Sequence, residues 1–373
     1  MANKLNKLIQ GYELLSQQSG PVVLATIIET LGSTYQKAGA RMLIAEDGEF
    51  TGLLGGGCFE SDLREQADSV FADGQAKVVF YDMRSPDDAV WGLGLGCNGA
   101  VRVLLQLLTA DNDFYPLDRI AQAYRQNETA VLATVCDTSD PEAVIGNTTY
   151  LPAIKQDQQF TLLEDHPLYA NGAKQALLQD KPAYIEHDID DRKLTVFYDV
   201  IKPASRLLIL GAGPDAVPVT EFAAKLGWHI TLLDHRPAYI RPERFPAADQ
   251  LLNITPGELN EKLDLDQFDA LVLMTHSIDY DERYRKVIAD SRIPYLGLLG
   301  PAKRRDRLLD SLGEKAEGIK ARVYGPIGLD IGAESPEEIA LSIMAEIQAV
   351  INQRDGGQLF QKDLPLHERV TPN

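Results

Sequence analysis

The sequence predicts an α/β fold in two parts: an N-terminal α/β domain over residues 1–200 and a Rossmann-like parallel-sheet domain over 205–352, with a polar tail over 353–373. The first observation behind this is bulk. A chain of 373 residues that is 45% hydrophobic and 24% charged exceeds one ordinary core and is too apolar to stay disordered. The second is a change of pattern near Ser205. Before it, the stretch from about 150 to 200 has weak periodicity, the turn pair Asn171-Gly172 and an acidic run from Glu186 to Asp191. The third lies beyond that boundary, where short apolar strands alternate with helical stretches in the order of βαβ units.

Local spacing accounts for the first elements. Leu5, Ile9, Tyr12 and Leu15 recur at helical intervals and predict an opening helix, and Val22-Val23-Leu24-Ala25-Thr26-Ile27-Ile28 is a β-rich run typical of a buried strand. Arg41 to Ala45 and Phe50 to Leu54 flank Asp47-Gly48, a pair that favours a hairpin. Directly after comes Gly55-Gly56-Gly57-Cys58, followed by Phe59, Leu63, Ala67, Val70 and Phe71 at the spacing of one helical face. This loop is therefore expected to join a strand to a helix. A second loop, Gly92-Leu93-Gly94-Leu95-Gly96-Cys97, precedes the turn pair Asn98-Gly99 and a strand from Val101 to Leu107. Cys136, the third cysteine, continues a β-rich run and is expected in the core.

In the second part, Arg206 to Leu210 reads as a strand, Gly211-Ala212-Gly213-Pro214 as a turn, and Pro214 to Leu226 as a helix. A second strand, Trp228 to Leu233, ends in Asp234. The fingerprint Gly211-x-Gly213-x-x-Ala216, with an acid about 20 residues on, fits a dinucleotide turn in which Asp234 holds a ribose hydroxyl. It also fits a scaffold that keeps the turn for packing, because the third glycine is alanine and Pro214 lacks an N–H near the phosphate site. Strands at Ala270 to Met274, Pro294 to Leu296 and Ala321 to Tyr324 follow, each leading into a loop: Thr275-His276, Gly297 to Gly300, and Gly325 to Gly332. These loops are expected along the carboxyl edge of one sheet, where open α/β folds bind ligands. Ser335-Pro336-Glu337-Glu338 supplies a capping box for a last helix, whose stripe Ile339, Ile343, Ile347 and Ile351 buries one face.

The formal charge of −19 argues against nucleic-acid or anionic-membrane partners, which need a basic footprint. Lys303-Arg304-Arg305 is a local exception that would either face a cofactor phosphate or a partner, or start a solvated helix. Three cysteines make no disulfide framework, Met1-Ala2-Asn3-Lys4 lacks a signal peptide's apolar run, and no stretch reaches the roughly 18 apolar residues of a membrane span. The chain is expected in the cytoplasm.

Six segments in order carry a family resemblance. Gly32-Ser33-Thr34, Gly39-Ala40-Arg41-Met42, Gly55-Gly56-Gly57-Cys58-Phe59-Glu60, Met274-Thr275-His276, Tyr295 to Pro301 and Pro326 to Gly332 resemble the xanthine dehydrogenase accessory (XdhC/CoxI) family from about residue 20 to 350. The chain departs from the family at Asn98, where glycine is usual. The resemblance implies a chaperone that binds the molybdenum cofactor (molybdopterin), protects it during sulfuration and delivers it to an apo molybdenum hydroxylase, with a cysteine desulfurase as a further partner. It implies no substrate turnover and so no catalytic residue.

The residues themselves fit that role. Cys58, expected at a helix N-terminus where a thiolate is favoured, is the candidate metal ligand; it would touch molybdenum, accept sulfur, or pack beneath the pterin as a small buried cysteine. The amides of Gly55, Gly56 and Gly57 would cradle a phosphate. Arg41 would clamp that phosphate or pair with a carboxylate, and Cys97 would contact the pterin or support it. Glu60 suits the first helical turn with or without a task. Gly211, Gly213, Asp234 and His276 complete the cofactor-binding candidates, with Asp279 and Asp281 near enough to orient His276 or to share a cation with it. The competing function is an NAD(P)-dependent oxidoreductase with His276 as acid or base, although such an enzyme has no need of two cysteine-ended glycine loops. A molybdopterin nucleotidyltransferase would need a glycine-arginine loop with a nearby lysine, and none is found. The long apolar last helix is compatible with a homodimer.

Overall fold

The computed structural model describes residues 2–18, 20–55, 58–84, 99–156, 159–162 and 166–361. The chain divides into two compact units, Met1–Pro203 and Ala204–Asn373.

The first unit opens with α1 (Ala2–Gln18), β1 (Val22–Gly32), β2 (Arg41–Ala45), β3 (Phe50–Gly52), α2 (Cys58–Asp73), β4 (Lys77–Asp82) and β5 (Gly99–Leu108). Its strands form an antiparallel sheet in the order β3-β2-β1-β5-β4. It continues with α3 (Leu117–Gln126), β6 (Thr129–Thr138), β7 (Thr148–Gln156), β8 (Gln159–Leu162), α4 (Ala170–Gln179), β9 (Ala183–Ile189) and β10 (Arg192–Ile201), ordered β8-β7-β6-β10-β9. The second half therefore repeats the first, element for element. Backbone bonds fix the equivalence: Ile27 exchanges hydrogen bonds with Gly39 and Ala40, and Val135 does so with Gly146 and Asn147. Gly39 and Gly146 share a left-handed φ, +88° and +87°. Even the sequence keeps a trace, Val23-Leu24-Ala25-Thr26 returning as Val131-Leu132-Ala133-Thr134.

Strand alternation sets the layers. Val23, Ala25 and Ile27 pack against Phe59, Leu63, Ala67 and Val70 of α2, while Ile28 and Leu104 meet Cys136 and Phe197 of the second sheet. On the far face of that sheet, Val131, Ala133 and Val135 pack against Ala173, Ala176 and Leu177 of α4. The two sheets thus lie between the two helices, which explains the uninterrupted apolar run in β1: both its faces are buried. Cys136 is core, as expected, and burial pushes its thiol up to about 12.

The second unit is a parallel sheet in the order β13-β12-β11-β14-β15-β16. Its strands are β11 (Arg206–Leu210), β12 (His229–Leu233), β13 (Gln250–Leu252), β14 (Ala270–Leu273), β15 (Tyr295–Leu298) and β16 (Val323–Tyr324). Helices α5 (Ala216–Lys225) and α10 (Pro336–Ile351) cover one face through Val219, Ala223, Ile343 and Ile347. Helices α6 (Leu259–Lys262), α7 (Ile278–Ala289), α8 (Ala302–Asp310) and α9 (Lys315–Ile319) cover the other through Leu259, Tyr284, Leu308 and Ile319. The expected capping box starts α10: Ser335 Oγ accepts the Glu338 N–H and Glu338 Oε2 accepts the Ser335 N–H. Order reverses between β11 and β14, the switch point at which such sheets open a crevice.

Candidate functional site

In the first sheet, antiparallel pairing brings the family segments toward one end. Gly32 lies opposite Gly99 and Asp82 opposite Ala100, so β1 and β4 end where β5 begins; Met42 lies opposite Gly52, so β3 ends where β2 begins, beside Thr26 of β1. The approach is close. A Cβ on Gly99 would overlap the Ser33 carbonyl and come within 2.7 Å of the Leu31 carbonyl oxygen, and one on Gly52 would lie 2.8 Å from the Arg41 carbonyl oxygen. Phe59, the residue after Cys58, meets Tyr81 edge-on at 4.6 Å between ring centroids, and the Tyr81 hydroxyl donates to Asp62. Those contacts set the start of α2 beside the end of β4. Cys58 is the first residue of α2, as the spacing predicts; Gly56, Gly57 and the whole second loop with Cys97 lie outside the described residues.

Glu60 does more than complement a helix end. Its buried carboxylate accepts the N–H groups of Leu54 and Gly55 through Oε1, at 3.0 and 2.6 Å, and so ties the loop before Cys58 to the helix after it. Arg41 is paired with a carboxylate: Nη2 donates to Asp199 Oδ2 at 2.5 Å and Nη1 to the Gly39 carbonyl at 3.2 Å, in a buried ion pair. Asp199 lies on β10, far away in sequence, and no motif announced it.

At the carboxyl edge of the parallel sheet, the fingerprint has the expected backbone. Gly211 is left-handed at φ +114°, with Met274 O only 2.5 Å from where a Cβ would stand. The ribose acid, however, is engaged. Asp234 is 1% exposed; Oδ2 accepts the Ala212 N–H and Arg236 Nη2, and Oδ1 accepts the Arg236 N–H and Nε. Burial pushes this carboxyl up, but the bonds from Arg236 and Ala212 outweigh it and leave it below the usual carboxylate range. Beside it, the His235 ring stacks on Tyr280 at 3.5 Å, and burial, with Arg236 and Arg283 adding to it, lowers the imidazole's pKa despite Asp234.

His276 sits at the edge with φ +54°, but neither Asp279 nor Asp281 orients it. Its Nε2 lies 3.1 Å from Asp215 Oδ2 instead. Asp279 pairs with Arg283, while Asp281 accepts Thr275 Oγ1 and Arg304 Nε. Lys303 is exposed, whereas the two arginines of the basic cluster on α8 face inward: Arg304 donates to the Leu299 carbonyl and Arg305 to the Gly325 carbonyl, so they hold the two glycine loops in place. Glu346 of α10 accepts the Tyr295 hydroxyl and the Gly328 N–H from the opposite side. Asp199, Asp215 and Glu346 were missed because each acts across elements; Arg236, two residues after the acid that ends β12, was missed despite a local signal. Among the described residues no three His, Cys, Asp or Glu side chains are grouped to hold a metal, and no helix is long and apolar enough to cross a membrane.

Comparison with known proteins bears on both units. Residues 15–82 match the model of the XdhC and CoxI family, and residues 207–347 match that of the XdhC Rossmann domain. A Bacillus subtilis protein, named as a probable subunit of xanthine dehydrogenase, is 33% identical over 90% of this chain and 94% of its own length. The molybdenum cofactor insertion chaperone PaoD of Escherichia coli is 22% identical over 88% of this chain and 83% of its own. A crystal structure described as a xanthine dehydrogenase from Bacillus halodurans superposes with a TM-score of 0.74 at 30% identity, covering 96% of this chain and 99% of that one. With both family models matched in order and a relative of this identity aligned over nearly its whole length, the chain belongs to the XdhC and CoxI family.

Proposed function

We propose that this protein is an accessory factor for molybdenum hydroxylases, carrying the molybdenum cofactor as cargo to an apo enzyme of the xanthine dehydrogenase kind. The observation that supports this reading is the close approach of Gly99 to the Leu31 and Ser33 carbonyls at one end of the first sheet, with Phe59, the neighbour of Cys58, packed on Tyr81 near the end of β4. Bare glycine backbone suits a flat, phosphorylated pterin, and a cysteine offers it a soft donor. Bound there, the cargo would supply the molybdenum that the client enzyme uses. The chain's own part is to hold it out of water, to present Cys58 toward it or its incoming sulfur, and to release it. Sulfuration with a cysteine desulfurase as donor, a homodimeric state and a cytoplasmic setting belong to the same proposal.

The test is anaerobic incubation with molybdenum cofactor followed by separation of bound from free. Retention by the wild type is expected, with loss or slower sulfuration in Cys58→Ala; no retention by the wild type would end the proposal. A nicotinamide-dependent dehydrogenase is less well supported, since its ribose ligand Asp234 is buried and committed to Arg236.

A further inference from the structure

The internal repeat leaves two strands at matching edges of the first unit, β4 in one sheet and β9 in the other, each paired among the described residues with a single neighbour. Their alignment is fixed by what precedes them. Gly74 and Asp180 follow the two helices in left-handed conformation, Ala76 lies against Gly146 and Pro182 against Gly39, so Val78, Phe80 and Asp82 match Tyr184, Glu186 and Asp188. Both Val78 and Tyr184 turn toward the layer between the sheets. The edges are guarded differently. β9 carries acid at Glu186 and Asp188 and runs into Asp190-Asp191, charges of the kind that keep an edge from pairing. β4 carries Val78-Val79-Phe80-Tyr81 between Lys77 and Asp82, with Phe80 43% exposed where its counterpart is Glu186.

Hydrogen bonding decides what this edge can pair with. Met83 donates to the Gly99 carbonyl, and the register from Asp82–Ala100 to Lys77–Leu105 is unbroken, so Met83, Tyr81, Val79 and Lys77 turn N–H and C=O toward β5. Val78, Phe80 and Asp82 turn theirs outward. That run is bounded, because the Arg84 N–H returns to Asp82 Oδ1 at 3.1 Å and Gly146 lies over Ala76. Phe80 is its midpoint. A twofold axis through an antiparallel pair sets one residue opposite itself, and centring on Phe80 uses every outward group: Val78 faces Asp82 of the second copy, and Asp82 faces its Val78. Centring on Asp82 would oppose two carboxylates, and centring on Val78 would leave Asp82 unmatched. On the same face, Arg102 stands over the Phe80 ring at 4.6 Å and is itself paired with Glu29, so the central contact carries no uncompensated charge.

We infer that β4 pairs with β4 of a second copy of this chain, antiparallel and centred on Phe80, joining two five-stranded sheets edge to edge. The inference rests on the proposed function only in giving its homodimer an interface, and it needs no bound cofactor.

Sedimentation equilibrium of the full, cofactor-free chain and amide hydrogen exchange at low and high protein concentration test it. The wild type is expected to dimerise, with the Val78, Phe80 and Asp82 amides better protected in concentrated than in dilute protein and those of Glu186 and Asp188 indifferent to concentration. Phe80→Lys, which opposes two like charges, should weaken the dimer at least about tenfold, and Phe80→Pro, which removes an outward N–H and none of those bonded to β5, should weaken it further. Glu186→Lys, the matched change in β9, should leave the dimer as it is. Val79 and Tyr81 amides that stay protected in both Phe80 variants show the β4–β5 ladder intact; should either variant lose that protection, the concentration dependence of the wild type decides alone. A wild type that stays monomeric, a dimer that survives both Phe80 substitutions with the ladder intact, or protection at Val78, Phe80 and Asp82 that ignores concentration would each overturn the inference. The cargo reading fails separately: cofactor retained by a monomer removes this interface alone, and a β4-paired dimer that retains none removes the cargo alone.

Discussion

The two halves of the N-terminal unit share one topology and differ in what they add to it. In the second half, β9 turns into β10 through Asp190 and Asp191, both left-handed at φ +48° and +64°, the kind of two-residue turn that suits a twisted hairpin. In the first half the equivalent strands, β4 and β5, are separated by residues 83–98, which include the second cysteine loop. The helices differ in the same sense. Both end in a left-handed residue, Gly74 and Asp180, but α2 has 16 residues and α4 has 10, so the added turns of α2 are the ones that carry Cys58 and Glu60. The bare second half shows how little the fold requires. What the first half adds is the part that the proposed cargo role calls on.

The same comparison finds a counterpart to Arg41. At the equivalent place stands Thr148, where Gln106 Nε2 donates to the Gly146 carbonyl at 2.7 Å and to Thr148 Oγ1 at 3.3 Å. Arg41 with the Gly39 carbonyl and Asp199 is the charged version of that neutral latch, each running from one sheet to the other. Both halves therefore hold the two sheets together at this place.

The largest effect should come from making the halves alike. Replacing residues 84–98 with a two-residue Asn-Gly turn is expected to leave the melting temperature unchanged or slightly higher, since a shorter loop costs less to close, while abolishing cofactor retention. Retention by the grafted protein would mean that the long loop is not what distinguishes the halves. Next in size is the latch. Arg41→Met strands the Asp199 carboxylate between the sheets and should cost about 3–5 kcal/mol in denaturant melts, against about 1 kcal/mol for Thr148→Val. A cost below that of Thr148→Val, joined to loss of cofactor, would return Arg41 to the ligand.

Legibility from sequence followed strand direction. In a parallel sheet every strand ends at the same edge, so the loops after β11, β14, β15 and β16 could be placed together from their order alone. In an antiparallel sheet alternate ends meet, and which loops converge depends on register. Nothing in Gly32-Ser33-Thr34 says that it will rest against Gly99. Residues 150–200 looked weakly periodic because the half-buried β9 and β10, buried from Leu194 onward, carry different patterns within one sheet. The repeat was nonetheless visible: Val-Leu-Ala-Thr occurs in β1 and again in β6, each followed by an acidic residue and threonine, Glu29-Thr30 and Asp137-Thr138. The Arg41–Asp199 and His276–Asp215 pairs had no such trace, because each joins elements that only folding brings together.

Glu60 gives the finest version of the comparison, because it tests whether the added turns of α2 hold the loop or merely follow it. Glu60→Ala removes the acceptor shared by the Leu54 and Gly55 amides and should cost about 2 kcal/mol, less than the latch because neutral amides rather than a buried charge lose their partner. Glu60→Gln keeps a carbonyl oxygen at the same reach and should cost under about 1 kcal/mol. Amide hydrogen exchange gives the local readout: Leu54 and Gly55 should exchange faster in Glu60→Ala, while Ala173 and Ala176 in α4 keep their protection. If exchange at Leu54 and Gly55 does not change, the loop is held by its glycines and by Phe59, whose Cβ stands 2.7 Å from where a Cβ on Gly55 would be. If exchange rises and cofactor retention falls in Ala but not in Gln, the carboxylate's oxygen rather than its charge is what shapes the approach to Cys58.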